Sequence, residues 1–178
     1  AMVSDRRGSD MLYGLCGSSG SGKTTLGEMV AESLGIRFVK TSITESAKAH
    51  GFNAVGDLAL EERILLQHHL LKDHIRLITS IERPVIVDRT PIDMIAYMLC
   101  EIDMHSHRQL TPEVLHKVDD YFKLCIMMAS QHYDFLFHLS PLTNYQPSET
   151  RPALNPAYQR HTDLVMRGAL AELRGHLD

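Results

Sequence analysis

Apolar residues fall along this chain in two alternating patterns, short unbroken runs and longer stretches with helical spacing. The first run, Met11–Cys16, is flanked by polar residues and glycine and reads as a buried strand. Thr24–Leu34 follows as a helix, with Leu26, Val30 and Leu34 as its apolar stripe and Gly35 to close it. Ile36–Thr41 predicts a second strand. Ser42–Asp57 is irregular or holds a short helix, since Gly51 and Gly56 interrupt it. Leu58–Ile81 is one long helix, which Asp57 can cap and whose first-turn Glu61 and Glu62 suit the positive end of its dipole. Pro84–Asp88 is a third strand, and its Val-Ile-Val run without alternation suits a strand covered on both faces. Three later helices each begin with a cap residue followed by proline, at Thr90-Pro91, Thr111-Pro112 and Asn155-Pro156. They span Pro91–Met104, Pro112–His132 and Pro156–Leu173, with a fourth strand at Tyr133–Leu139 and a polar, proline-containing loop at Ser140–Leu154. No fifth strand is visible.

Strands alternating with helices predict one α/β domain, a three-layer doubly wound parallel sheet joined by right-handed crossovers. That domain is expected over 11–178, with a lid loop near 140–154. Residues 1–10 read as a flexible start, Ala1 being a remnant of tag removal. A chain of 178 residues, 44% hydrophobic and 22% charged, can bury a core without disulfides or metal. No run of eighteen apolar residues exists and the start lacks a secretory signal, so no membrane association is expected. Cys16, Cys100 and Cys125 each sit in an apolar stretch and read as buried free thiols of a cytoplasmic protein. The net charge of −4 disfavours nucleic acid as a partner, although a local basic cleft would escape that count. Asp103, His105, His107 and His116 have no metal-ligand spacing beyond the His-x-His pair and read as a solvated helix end. Adjacent His68 and His69 point to different faces of their helix. The apolar helices 91–104 and 112–132 could pack on a second subunit as a homodimer; a single-domain core accounts for them equally.

Chemistry enters at Gly17-Ser18-Ser19-Gly20-Ser21-Gly22-Lys23-Thr24, followed by Thr25, between the first strand and the first helix. It fits G-x-x-x-x-G-K-[ST] at every fixed position. The glycines let backbone N–H groups curl into an anion nest, and the helix that follows points its N-terminus at the phosphates. Lys23 adds positive charge on the outer phosphates. The Thr24 hydroxyl suits a magnesium ion, a hard cation that prefers oxygen ligands.

Asp88-Arg89 comes next, at the carboxyl end of the third strand, where ligands collect in open α/β sheets. Asp88 could hold a magnesium-bound water or take a proton from an attacking hydroxyl; equally, it could form a strand-end ion pair with Arg89. Arg89 could fork onto an anionic group of the acceptor or the transferring phosphoryl. Arg151 stands in the proline-flanked loop, where a lid arginine would stabilise charge on a transferring phosphoryl; an ordinary surface role is open too. Arg160 and Arg167, seven residues apart, share one helix face. A hydrolysing motor would place Glu after Asp88 and a GTPase would carry an Asn-Lys-x-Asp reader. Arg89 stands in the first place and the second is missing, so an acceptor other than water is favoured.

With the phosphate loop, Asp88-Arg89-Thr90-Pro91, Ala96-Tyr97 and a late lid arginine, the chain resembles the P-loop nucleoside and nucleotide kinases, the thymidylate kinases in particular. It also resembles small phage and bacterial kinase-like ATP-binding domains. The resemblance implies strand order 2-3-1-4 with a fifth strand usually next, so the missing strand is a departure that means either a truncated chain or a shorter sheet. It implies ATP and Mg2+ as cofactors and an acceptor between the second strand and the long helix, at Thr41, Ser42, Arg63 and Gln67, with Arg89 and Tyr97. The activity implied is transfer of the γ-phosphoryl group of ATP to a nucleoside or nucleotide. Two alternatives stay open: a phage-type kinase acting on a hydroxyl of nucleic acid (a hydroxymethyluracil base or a strand end), and a nucleotide-binding switch or assembly ATPase.

Overall fold

A computed structural model describes residues 10–54, 58–104, 110–142 and 155–177. Four strands, β1 (Leu12–Cys16), β2 (Arg37–Lys40), β3 (Val85–Asp88) and β4 (Phe135–His138), form one sheet. All pair in parallel in the order β2-β3-β1-β4, as expected. Central β3 is buried along its whole length, which explains its lack of alternation. Ile86 faces one layer with Leu15 and Ala31, whereas Val85 and Val87 face the other with Leu12 and Ile78. No fifth strand occurs among the described residues.

Helix α1 (Lys23–Leu34) covers the first face. On the other lie α3 (Leu60–Ser80), α4 (Pro91–Met104), α5 (Pro112–His132) and α6 (Pro156–Leu177), whose apolar faces build the larger core around Ile64, Ile95, Met98, Tyr121 and Met166. A short helix, α2 (Ile43–Ala49), settles the ambiguous 42–57 stretch; Ser42 caps it by accepting from the Glu45 N–H at 3.2 Å.

The three proline-opened helices begin as expected. Thr90 Oγ1 accepts from Ile92 N–H (3.2 Å) and Thr111 Oγ1 from Val114 N–H (3.3 Å). Asn155 Oδ1 accepts from Ala157 and Tyr158 N–H (3.0 and 3.2 Å). The start of α3 differs. The cap is at Ala59, whose N–H donates to Glu62 (2.9 Å), and Asp57 lies outside the described residues. A carboxylate one turn into the helix supplies the missing acceptor.

The apolar stripe expected on α1 is buried only in part: Val30 packs on the cluster of Leu15, Ala31 and Ile86, and the two ends stay open. Leu26 is 43% exposed and Leu34 64%, whereas Gly27 and Ala31 are buried. A Cβ on Gly27 would stand 2.3 Å from the Phe38 ring, so α1 approaches β2 most closely at its smallest residue. The buried face is therefore one residue on from the stripe, about 100° around the helix. Leu26 and Leu34 instead line an open apolar groove of about 290 Å³ with Tyr13 and Phe137 of the sheet. Cys16, Cys100 and Cys125 are buried and form no disulfide. None of the described helices is long and apolar enough to cross a membrane.

Candidate active site

Between β1 and α1 the chain makes the phosphate loop the sequence foretold. Gly20 and Gly22 adopt φ of 77° and 82°, the left-handed region that turns successive N–H groups to one side. Gly17 is needed for space, since a Cβ there would lie 2.6 Å from the Leu139 carbonyl oxygen. Lys23 lies across the loop, its ammonium donating to the Gly17 and Ser18 carbonyls. The Ser18 and Ser21 hydroxyls are buried without a hydrogen-bond partner among the described residues. Buried polar atoms left unmatched cost free energy that an added ligand can recover, so this cradle fits the phosphates of a nucleotide.

Thr24 and Asp88, 64 residues apart in sequence, meet here. Thr24 Oγ1 donates to Asp88 Oδ2 at 2.9 Å. Asp88 is buried and its second oxygen, Oδ1, has no partner among the described residues. A hydroxyl beside an unfilled buried carboxylate is a hard-oxygen donor pair that fits Mg2+, whose other positions would go to phosphate oxygens and waters. No group of three His, Cys, Asp or Glu side chains suited to a metal occurs among the described residues.

Arg89 has φ +74°, a left-handed conformation uncommon for a residue with a Cβ. Its N–H donates to Leu15 O at 3.1 Å, holding β3 to β1 at the sheet's carboxyl edge. Its guanidinium carbon stands 5.9 Å from the centre of the Tyr97 ring on α4. Arg89 and Tyr97 line a cleft of about 140 Å³ with Arg63 and Gln67 of α3. Two guanidiniums on an aromatic-walled cleft can hold an anionic acceptor group. Thr41 and Ser42 are near but in local use. Thr41 Oγ1 donates to the Asp88 carbonyl (3.0 Å), while Ser42 caps α2, and both line an adjoining cavity rather than this cleft. Thr25 is exposed. Arg151, like most of the expected lid loop, lies outside the described residues. Arg167 is held by Asp163 and Ser140 (2.9 Å each), and Arg160 is exposed.

Asp93, in the first turn of α4, had no role expected from the sequence. It is 1% exposed. Oδ1 accepts from the Gly17 N–H (3.1 Å), and Oδ2 from the N–H and hydroxyl of Thr90 (2.8 and 2.9 Å). One carboxylate thus ties the first loop glycine to the N-terminus of α4. Burial pushes its pKa up, against the downward pull of Lys23, the Gly17 N–H, Thr90 and Arg89. The one available signal was Thr90-Pro91-x-Asp93, a capping spacing with Asp at its third helical position. Gln159 of α6 was also missed; its side chain donates to Ser19 O at 2.9 Å.

A parallel sheet of this order, with a phosphate loop after β1 and a basic cleft at its carboxyl edge, has the fold of the P-loop kinases. The solved structures that share it include the following three. The NadR protein in complex with NR aligns at TM-score 0.62 and 20% identity over 92% of this chain. Deoxyadenosine kinase from M. mycoides with bound dCTP aligns at 0.61 and 12% over 91%. Thymidylate kinase from Candida albicans aligns at 0.61 and 16% over 90%. This chain covers 43% of the NadR chain, 84% of the deoxyadenosine kinase and 77% of the thymidylate kinase. At such identities the likeness speaks for the fold. The sequence matches the AAA domain family over residues 13–177, and the chain belongs to that family. No curated protein matches it.

Proposed function

We propose that this chain is an ATP- and Mg2+-dependent phosphotransferase that moves the γ-phosphoryl group to a nucleoside or nucleotide. The observation that carries the reading is the Thr24–Asp88 pair, set at the mouth of the phosphate loop and beside the Arg63–Arg89–Tyr97 cleft. Two sites side by side, one for a polyphosphate and one for an acceptor, suit direct transfer. The named kinases of the same fold support the acceptor class.

Lys23 and the loop amides would hold the β- and γ-phosphates. Thr24, with Asp88, would hold magnesium, which supplies charge neutralisation at the phosphates. Arg89 would fork onto the transferring group or the acceptor's anion, with Arg63 and Tyr97 orienting the acceptor, and Arg151 would act from the lid. Catalysis by such parts is mainly positioning and electrostatics. The residue after Asp88 is Arg89 rather than a water-activating Glu, which disfavours a switch or assembly ATPase.

The test is labelled phosphate transfer from ATP across nucleosides, monophosphates and hydroxymethyluracil-containing DNA. The expected result is transfer to a free nucleoside or nucleotide, with Lys23→Ala slower by about 100-fold or more. Transfer to DNA alone would move the acceptor to nucleic acid. A Lys23→Ala protein as fast as the parent would sink the assignment.

A further inference from the structure

Three carbonyls of the phosphate loop are bonded from within. Those of Gly17 and Ser18 accept from the Lys23 ammonium, Ser18 O also from the Ser21 N–H at 3.2 Å, and Gly22 O from the Leu26 N–H at 2.9 Å. The Ser19 carbonyl differs. Its donor comes from outside the loop, from the side-chain NH2 of Gln159 on α6, 140 residues away, at 2.9 Å.

Gln159 stands on a fixed support. One turn on, Thr162 is 1% exposed and accepts from the Cys100 thiol of α4, and Met166 is fully buried in the larger core. Arg167, on the same side of α6 as Gln159, bonds Asp163 and also Ser140 just past β4 (2.9 Å each). A donor carried on a packed helix is placed more exactly than one on a loop. Ser19 is gripped at its other backbone group too. Burial raises the pKa of the Tyr97 phenol, while Arg89 and a hydrogen bond from the Ser19 backbone draw it back down; the backbone group able to give that bond is the N–H.

What the Gln159 bond decides follows from peptide geometry. In a trans peptide the C=O and the N–H of the next residue point opposite ways. Gly20 has φ 77°. Glycine takes φ of either sign about equally readily, so the loop alone leaves the Ser19–Gly20 peptide free to face either way. A donor fixed on one side of the Ser19 oxygen selects the orientation.

We propose that Gln159 is a positioning residue for the triphosphate: by holding the Ser19 carbonyl outward, toward α6, it aims the Gly20 N–H into the phosphate cradle. When a polyphosphate draws the Lys23 ammonium away from the Gly17 and Ser18 carbonyls, the bond from Gln159 remains and keeps this peptide from turning over. The assignment rests on the phosphate-loop part of the kinase reading and adds to it a residue from the last helix.

The test uses the full chain and Gln159→Met, which keeps side-chain length and helix propensity and removes the donor. A nonhydrolysable ATP analogue and inorganic tripolyphosphate, each with Mg2+, are titrated while 15N NMR follows the Gly20 amide. In the parent both ligands are expected to move that resonance downfield, as an N–H donating to phosphate does. In Gln159→Met both should bind about 3- to 10-fold more weakly, the worth of one net hydrogen bond, with a smaller Gly20 shift. Its Tm should stay within about 4 °C of the parent's. Parent-like affinity for tripolyphosphate or an undiminished Gly20 shift in the variant would overturn the proposal. So would a lowered Tm with binding intact, which is what a simple tether for α6 predicts. If the variant does not fold, the parent decides: a Gly20 resonance unmoved by bound ligand overturns the assignment. A parent that binds neither ligand brings down the phosphate-loop reading and this assignment with it. The expected binding changes without phosphoryl transfer to any acceptor would overturn the kinase reading and leave the role of Gln159 standing.

Discussion

Removing the Asp93 carboxylate should separate the phosphate loop from the acceptor side of the site. The side chain is 1% exposed and accepts three hydrogen bonds, from Gly17 N–H, Thr90 N–H and Thr90 Oγ1–H. In Asp93→Ala the two backbone donors and the hydroxyl stay buried without an acceptor. At about 1–3 kcal/mol for each buried group stranded, less what local relaxation recovers, the loss is about 3 kcal/mol. For a chain of this length that lowers Tm by about 6–12 °C. Asp93→Asn should be nearly as damaging, because its NH2 must face either the Gly17 or the Thr90 N–H. The effect should reach nucleotide binding, since Gly17 opens the loop. We expect affinity for a nonhydrolysable ATP analogue to fall about tenfold, equivalent to about 1.4 kcal/mol. Calorimetric melting and titration of the analogue, on parent and both variants, measure the two quantities. Parent-like Tm and parent-like affinity in Asp93→Asn would refute the view that this carboxylate holds the loop.

Other outcomes follow from single contacts. His74 has its folded-state pKa lowered from 6.5 to about 4, so the unfolded chain binds the extra proton first. Its contribution is intact above pH 6.5 and lost as pH falls toward 4, about 3 kcal/mol in all; urea titrations should show a shallower decline over that window in His74→Gln. Arg89→Gly relieves a left-handed backbone, so stability should hold or rise by up to about 1 kcal/mol while phosphoryl transfer falls by about 100-fold or more. A large loss of stability there would show that the guanidinium is structural. Gly27→Ala would press a methyl 2.3 Å from the Phe38 ring and should destabilise by roughly 1–3 kcal/mol, read from the urea midpoint.

Much of this site is legible along the chain because its parts are local. The phosphate loop needs glycines at fixed offsets from a strand and a helix, and Gly17 under the Leu139 carbonyl and Gly22 at positive φ are what that spacing encodes. The cap-proline pairs fixed the starts of three helices for the same reason, since a capping side chain reaches only its own first turn. Asp93 was not legible, because its partner Gly17 is 76 residues away. The α1 stripe was right for Val30 alone, because helical spacing shows that a face is apolar and not which neighbour comes closest; Gly27 against Phe38 settled that.

The sequence by itself determined the class of protein. A strand, a glycine-rich turn ending in Lys23-Thr24, and a second strand ending in Asp88 are each short-range patterns, and backbone sterics and hydrogen bonding act over a few residues. Only the tertiary structure decided which distant groups face one another: Thr24 on Asp88, Asp93 on Gly17, Arg63 beside Arg89, and His74 on Tyr133. Those meetings depend on how helices pack across a sheet, where a rotation of about 100° exchanges a buried residue for an exposed one, and no local pattern records it.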